Sequence, residues 1–112
     1  MAFTGGVFGD GAASGTTAAP LSTVLASIAG REEFRQIDIK APAANVGILY
    51  IGPTTPVVSA TNAWVELAAG ESWGLNPQSF TSPAGGDFKI DLTKVSIIGT
   101  DVADQAFVAV LL

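Results

Sequence analysis

The stretch 45–52, NVGILYIG, constrains the fold more than any other part of this sequence. Its β-branched and aromatic residues, Val46, Ile48, Tyr50 and Ile51, suit a pleated surface, and Gly52-Pro53 ends the run. Alternation sends Val46, Ile48 and Tyr50 to one side and Leu49 and Ile51 to the other, so the strand is apolar on both faces. Such a strand belongs at the centre of a small antiparallel β-sandwich. One face is expected on the core, and the other beneath the chain's own loops or a neighbouring subunit.

The rest of the chain reads as short strands divided by turns. Residues 34–40 alternate, with Ile37 and Ile39 on one side and Gln36, Asp38 and Lys40 on the other, which predicts a strand with one face in water. Further strands are predicted at 64–67, 72–75, 87–92, 95–99 and 105–112, with a short one at Val57-Val58, and turns at 41–45, Ala69-Gly70 and 100–104. Leu21, Leu25 and Ile28 stand at helical spacing, with Ser22 as N-cap and Gly30 as C-cap. They predict one or two helical turns, or an irregular strand, over an open end of the sandwich. The fold class is therefore all-β: a small antiparallel β-sandwich or jelly-roll-like barrel over 23–112.

Residues 1–22 are expected to precede it as an extended, Gly/Ala-rich N-terminal arm. Glycines at 5, 6, 9, 11 and 15 make helix or regular strand costly there. Disordered tails are usually charged, whereas Asp10 is the one charged residue in this segment, and Phe3, Val7 and Phe8 stand out as apolar anchors. An arm that orders against a partner accounts for them.

Composition removes several classes of function. Only 13% of the residues are charged, about half the usual share, so little of the surface can be ionic. The net charge is -5 and no basic cluster occurs, which argues against binding nucleic acid through its phosphates. With no cysteine and no histidine, thiolate chemistry, disulfides, ordinary zinc sites and imidazole-dependent triads are excluded. Gly and Pro break every apolar run short of the ~18 residues of a membrane helix, so no transmembrane helix is expected. The N-terminus lacks the pattern of a signal peptide, and a product made and assembled in the cytoplasm is expected.

No residue set announces a catalytic site, a cofactor or a metal. Asp101 and Asp104 could bind calcium or serve as acid and base, but two carboxylates separated by Val102 and Ala103 fall short of a calcium loop; a solvated turn is expected. Glu32 and Glu33 are adjacent and point apart on a strand, which again reads as a solvated turn. The glycines of 5–11 lack the lysine of a phosphate loop. Trp64, Trp73 and Tyr50 could form an aromatic platform for sugar rings. Both tryptophans sit among uncharged neighbours, however, which favours core or subunit interface. Trp73, Leu75 and Phe80 fall in 71–86, uncharged after Glu71, where they either fold back or meet another chain. The candidate interface set is thus Phe3, Val7, Phe8, Trp64, Trp73, Leu75 and Phe80.

Across 34–112 the segments resemble small β-sandwich virion proteins of tailed bacteriophages. The pieces that carry the resemblance are Asn45, Gly47, Leu49, Tyr50, Ile51 and Gly52; the turn Leu67, Ala68, Gly70, Glu71, Ser72; the run 91–99; and Ala103, Asp104, Gln105 before the last strand. The resemblance implies a non-enzymatic capsid decoration or cement protein on the outer shell of the virion. Its partner would be the major capsid protein, and it would often be a homotrimer over local threefold positions. Neither nucleic acid nor membrane is implied as a partner. Tail, adaptor or fibre components and carbohydrate-binding or host-recognition modules share the architecture and stay open as alternatives.

Overall fold

Residues 3–8, 14–25, 33–34, 36–75 and 90–111 are described by a computed structural model. The chain forms an all-β sandwich. Sheet I has the order β1 (Phe3–Phe8), β10 (Ala106–Leu111), β4 (Gln36–Lys40), β7 (Ser72–Leu75). Sheet II has the order β2 (Ala19–Pro20), β9 (Val95–Gly99), β5 (Leu49–Pro53), β6 (Val65–Leu67). A minor two-stranded pair joins β3 (Glu33–Phe34) to β8 (Ile90–Asp91), and every pairing is antiparallel.

Alternation decides which side chains meet between the sheets. Sheet I contributes Phe8, Ile37, Ile39, Ala106, Val108 and Val110; sheet II contributes Leu49, Ile51, Leu67, Val95 and Ile97, all buried. Leu21, Leu25 and Leu92 close the core. Each fully buried leucine or isoleucine stabilises the fold by about 1.5–3 kcal/mol relative to leaving it in water.

Several expectations change. The segment 1–22 is not an arm apart from the sandwich: Phe3 to Phe8 pair with β10 from Leu111 to Ala106, and Ala19-Pro20 pair with β9. Gly6 fits beneath the short helix α1 (Leu21–Val24), since a Cβ there would lie 2.6 Å from the Val24 carbonyl oxygen. The glycines that argued against a strand thus permit one, by letting the chain pass close under α1. Phe8, expected on a partner, is buried in the chain's own core. Ser22 lies inside α1 rather than capping it; Pro20 holds the cap position without a side-chain bond, and Ile28 and Gly30 lie outside the described residues. Val57 lies in a turn and Val58, which is buried, in irregular chain, and neither belongs to a strand.

The sandwich is stitched at one end. The chain crosses between the sheets at 41–48, 68–71 and 100–105, and strand register puts all three crossings at the same end. Crossings leave backbone N–H groups without ladder partners. Asp104, expected in a solvated turn, is fully buried and meets this need. Its Oδ1 accepts from the backbone N–H groups of Val46 and Gly47, both at 3.0 Å, and its Oδ2 from that of Asp101 at 3.2 Å. Asn45 adds a two-way amide bond to the backbone of Gln105, donating to its carbonyl at 2.7 Å and accepting from its N–H at 2.9 Å. The 3-10 turn Ser14–Thr16 docks on the same end, where a Cβ on Gly15 would lie 2.5 Å from the Asp101 carbonyl oxygen.

A smaller cap stands before β9. Asp91 Oδ1 accepts from the Thr93 hydroxyl at 2.6 Å and from its N–H at 3.0 Å. These bonds, the hydroxyl first, hold the Asp91 carboxyl below the ordinary carboxylate range. Because the folded value is the depressed one, the contribution is present above about pH 4 and disappears as pH falls through the lowered value.

Two outcomes are expected. Asp104→Asn keeps one accepting oxygen but turns an amide donor on the Asp101 N–H, so urea unfolding should show a loss of about 1–3 kcal/mol; a change below about 0.5 kcal/mol, the scale of an ordinary surface substitution, would contradict the latch. An NMR titration of Asp91 should give a midpoint below that of a free aspartate, rising in Thr93→Ala. An identical midpoint in both proteins would contradict the cap.

Candidate functional site

The outer face of sheet II is where the sequence and the structure differ most in consequence. Leu49 and Ile51 are buried, as their alternation requires, but the opposite side of β5 is not closed. Tyr50 stands between Ile98 of β9 and Glu66 of β6, and both Tyr50 and Ile98 are half-exposed. Ile48 is half-exposed as well, and Val46, which falls in the 41–48 crossing and not in a strand, is 78% exposed. The sequence places this second face beneath the chain's own loops or a neighbouring subunit; among the described residues the chain itself buries it at Gly52. There the loop 54–63 lies so close that a Cβ on Gly52 would sit 2.8 Å from Val58 Cγ2.

That loop is shaped by its own polar groups. Asn62 Oδ1 accepts from the Ser59 N–H at 2.7 Å, and Asn62 Nδ2 donates to the Val57 carbonyl at 3.0 Å. At the base of the loop, the Thr54 hydroxyl donates to the Thr93 carbonyl at 2.7 Å and lies 2.8 Å from the Ser96 hydroxyl. The loop presents Val57, 62% exposed, and is followed by Trp64, 55% exposed. Trp64 stands at a bend just before β6, its backbone N–H donating to the Ile51 carbonyl at 2.8 Å, and its exposed indole lies at this edge of sheet II.

On the face itself Tyr50, Ile98 and Ile48 are half-exposed; Val57 and Trp64 are exposed beside one end of β5, and Val46 and Val102 in the crossings at the other. Glu66 is the one charged side chain on the strands of that face among the described residues. A charge-poor apolar surface with an aromatic at its edge has the composition of a protein-interface core rather than of a solvated sheet.

The outer face of sheet I is also incompletely covered. A depression of about 590 Å³ is floored by Gly5, Ala109, Asp38 and Gly74, with Phe107, Lys40 and Trp73 among its walls. Phe107 is 49% exposed.

The candidate interface residues are distributed unevenly over these surfaces. Trp64 lies exposed at the β6 edge of sheet II. Trp73 is on the other sheet, in register with Ile39, half-buried and packed against the core; the aromatic trio of Trp64, Trp73 and Tyr50 is therefore not one platform. Phe8 is core. Phe3 and Val7 belong to β1, in register with Leu111 and Phe107, and Leu75 belongs to β7. The side chains of Phe3, Val7 and Leu75, and the whole of Phe80, lie outside the described residues. Val46, Val57, Val102 and Phe107 are exposed apolar residues that do not belong to the candidate interface set. Phe107 had a signal, since it belongs to the second apolar row of a last strand that is apolar on both faces.

Among the described residues no group of three or more His, Cys, Asp or Glu could hold a metal ion. No helix among them is long and apolar enough to cross a membrane. No family model matches the chain, and no curated protein or solved structure matches it either.

The two tryptophans should separate in stability measurements. Trp64→Ala should leave the unfolding free energy within about 0.5 kcal/mol, whereas Trp73→Ala should cost roughly 2 kcal/mol, less than a fully enclosed aromatic. Equal losses in chemical denaturation would contradict these placements.

Proposed function

We propose that this chain is a non-enzymatic structural subunit of a tailed-bacteriophage virion, a capsid decoration or cement protein that binds the outer shell and links neighbouring major capsid protein subunits. The observation that supports the reading is the open apolar face of sheet II, Ile48, Tyr50 and Ile98, with Val46 and Trp64 exposed beside it and Glu66 as its charged member. Exposing such a surface permanently favours association, and a partner that covers it gains about 25 cal/mol per Å² of apolar area removed from water. Much of that gain is offset by the cost of association, so one contact holds modestly. Attachment of one copy to two capsid subunits raises retention by effective concentration without any new kind of contact. The bridging copies would then resist outward pressure on the shell.

A glycan-binding module is the second reading, favoured by Trp64 standing exposed at the edge of the sheet that carries Tyr50. Sugar recognition needs polar groups that grip hydroxyls beside the ring that stacks. The Asn62 amide nearest Trp64 in sequence is engaged with Ser59 and Val57 in its own loop. The surface suits a protein partner better than a sugar.

Particles purified from cells that produce this chain should contain it in a fixed ratio to the major capsid protein, and Trp64→Asp should lower its occupancy at least tenfold. Exclusion of the wild-type chain from particles, together with glycan-array binding that Trp64→Ala abolishes, would overturn the capsid reading.

A further inference from the structure

The outer face of sheet I carries a protrusion beside a hole, and a negative charge beside a positive one. Register across the sheet defines two neighbouring rows. One row runs Val7, Phe107, Lys40, Ser72; the next runs Gly5, Ala109, Asp38, Gly74. The first row holds the exposed Phe107 ring and the exposed Lys40. The second row is the floor of the 590 Å³ depression, made of two glycines, an alanine and the Asp38 carboxylate. Gln36 Nε2 donates to Asp38 Oδ2 at 3.0 Å and so holds that carboxylate in place. The hole is kept open by side-chain size: a Cβ on Gly74 would lie 2.8 Å from Asp38 Oδ1.

We propose that this face is a self-association surface on which two copies of the chain pair about a twofold axis. The axis lies in the interface, across the strands and between the two rows. A single rotation about it brings the first row of one copy over the second row of the other. Phe107 then sits over the partner copy's Ala109, in the hollow between Gly5 and Asp38, while Lys40 lies over the partner copy's Asp38 with Gly74 beyond it. The same operation repeats both contacts in the opposite sense, as an isologous interface requires. Packed sheets lie about 10 Å apart with large side chains set against small ones, a gap that a lysine and a phenylalanine can span from one side. Charge chooses the occupant: a surface with one anion and one cation in adjacent rows is complementary to itself under this rotation. A partner of uniform charge would oppose one of the two.

The inference concerns sheet I alone and stands whether or not the chain serves in a virion. It also differs from the threefold arrangement that the phage resemblance implies.

Light scattering and sedimentation of the full-length chain should show a monomer–dimer equilibrium. Lys40→Glu makes the charged pair on this face wholly acidic and Asp38→Lys makes it wholly basic. Each variant alone should dimerise on the order of a hundredfold more weakly, because like charges then face each other. An equimolar mixture of the two should recover a heterodimer, which native mass spectrometry resolves by mass. Should Asp38→Lys fail to fold, Phe107→Ser at an exposed position supplies the second variant and should also be monomeric. A wild-type chain that stays monomeric at all concentrations, or forms a trimer, overturns the proposal, as does dimerisation unchanged in both Lys40→Glu and Phe107→Ser.

Discussion

The buried carboxylate of Asp104 is the interaction on which the sandwich depends. A two-sheet fold must carry its chain from one layer to the other, and each crossing strands backbone groups that no ladder satisfies. Here the crossings at 41–48, 68–71 and 100–105 gather at one end. Asp104 accepts from Val46, Gly47 and Asp101, while the Asn45 amide pairs with both backbone groups of Gln105. The charge makes these bonds stronger than neutral ones, and burial makes their loss costly. Space around the carboxylate is reserved by glycine. A Cβ on Gly47 would lie 2.5 Å from Asp104 Oδ2, and one on Gly99 would lie 3.0 Å from Asp104 Cβ.

This latch explains what was legible in the sequence and what was not. Alternation is a local signal, so Ile37 and Ile39 in β4, the limits of β7 and β9, and the turn at Gly70, with φ of 85°, could be read directly. The latch joins residues 57 to 60 positions apart, and no local pattern connects them. Asp104 therefore read as an ordinary solvated aspartate. Glycine misled in the other direction at β1: its low strand propensity is a local property, whereas pairing with β10 is a tertiary gain that overrides it. The both-sides apolar pattern of 45–52 identified the right strand but not its environment, because hydrophobicity alone does not say what covers a face.

The residues that carry the phage resemblance belong largely to this scaffold. Asn45, Gly47, Asp104 and Gln105 form the latch, Gly52 admits the loop 54–63, and Glu71 accepts from the Ala68 N–H at 2.6 Å. They account for how the chain folds, and the functional proposal rests on a different set of residues. Tyr50, Ile48 and Ile98 leave one outer face apolar, with Trp64 and Val46 exposed beside it, and Phe107 with its neighbouring hollow marks the other. Charge is scarce on both faces, and the proposed function draws on that scarcity.

Hydroxyl-radical footprinting of the free chain against the same chain in assembled particles tests this account most directly. Modification of Trp64, Tyr50 and Val57 should fall at least fivefold on assembly, while residues of the buried core stay equally protected in both states. Equal modification of these three side chains, free and assembled, would contradict the claim that the open face of sheet II is the surface by which the protein works.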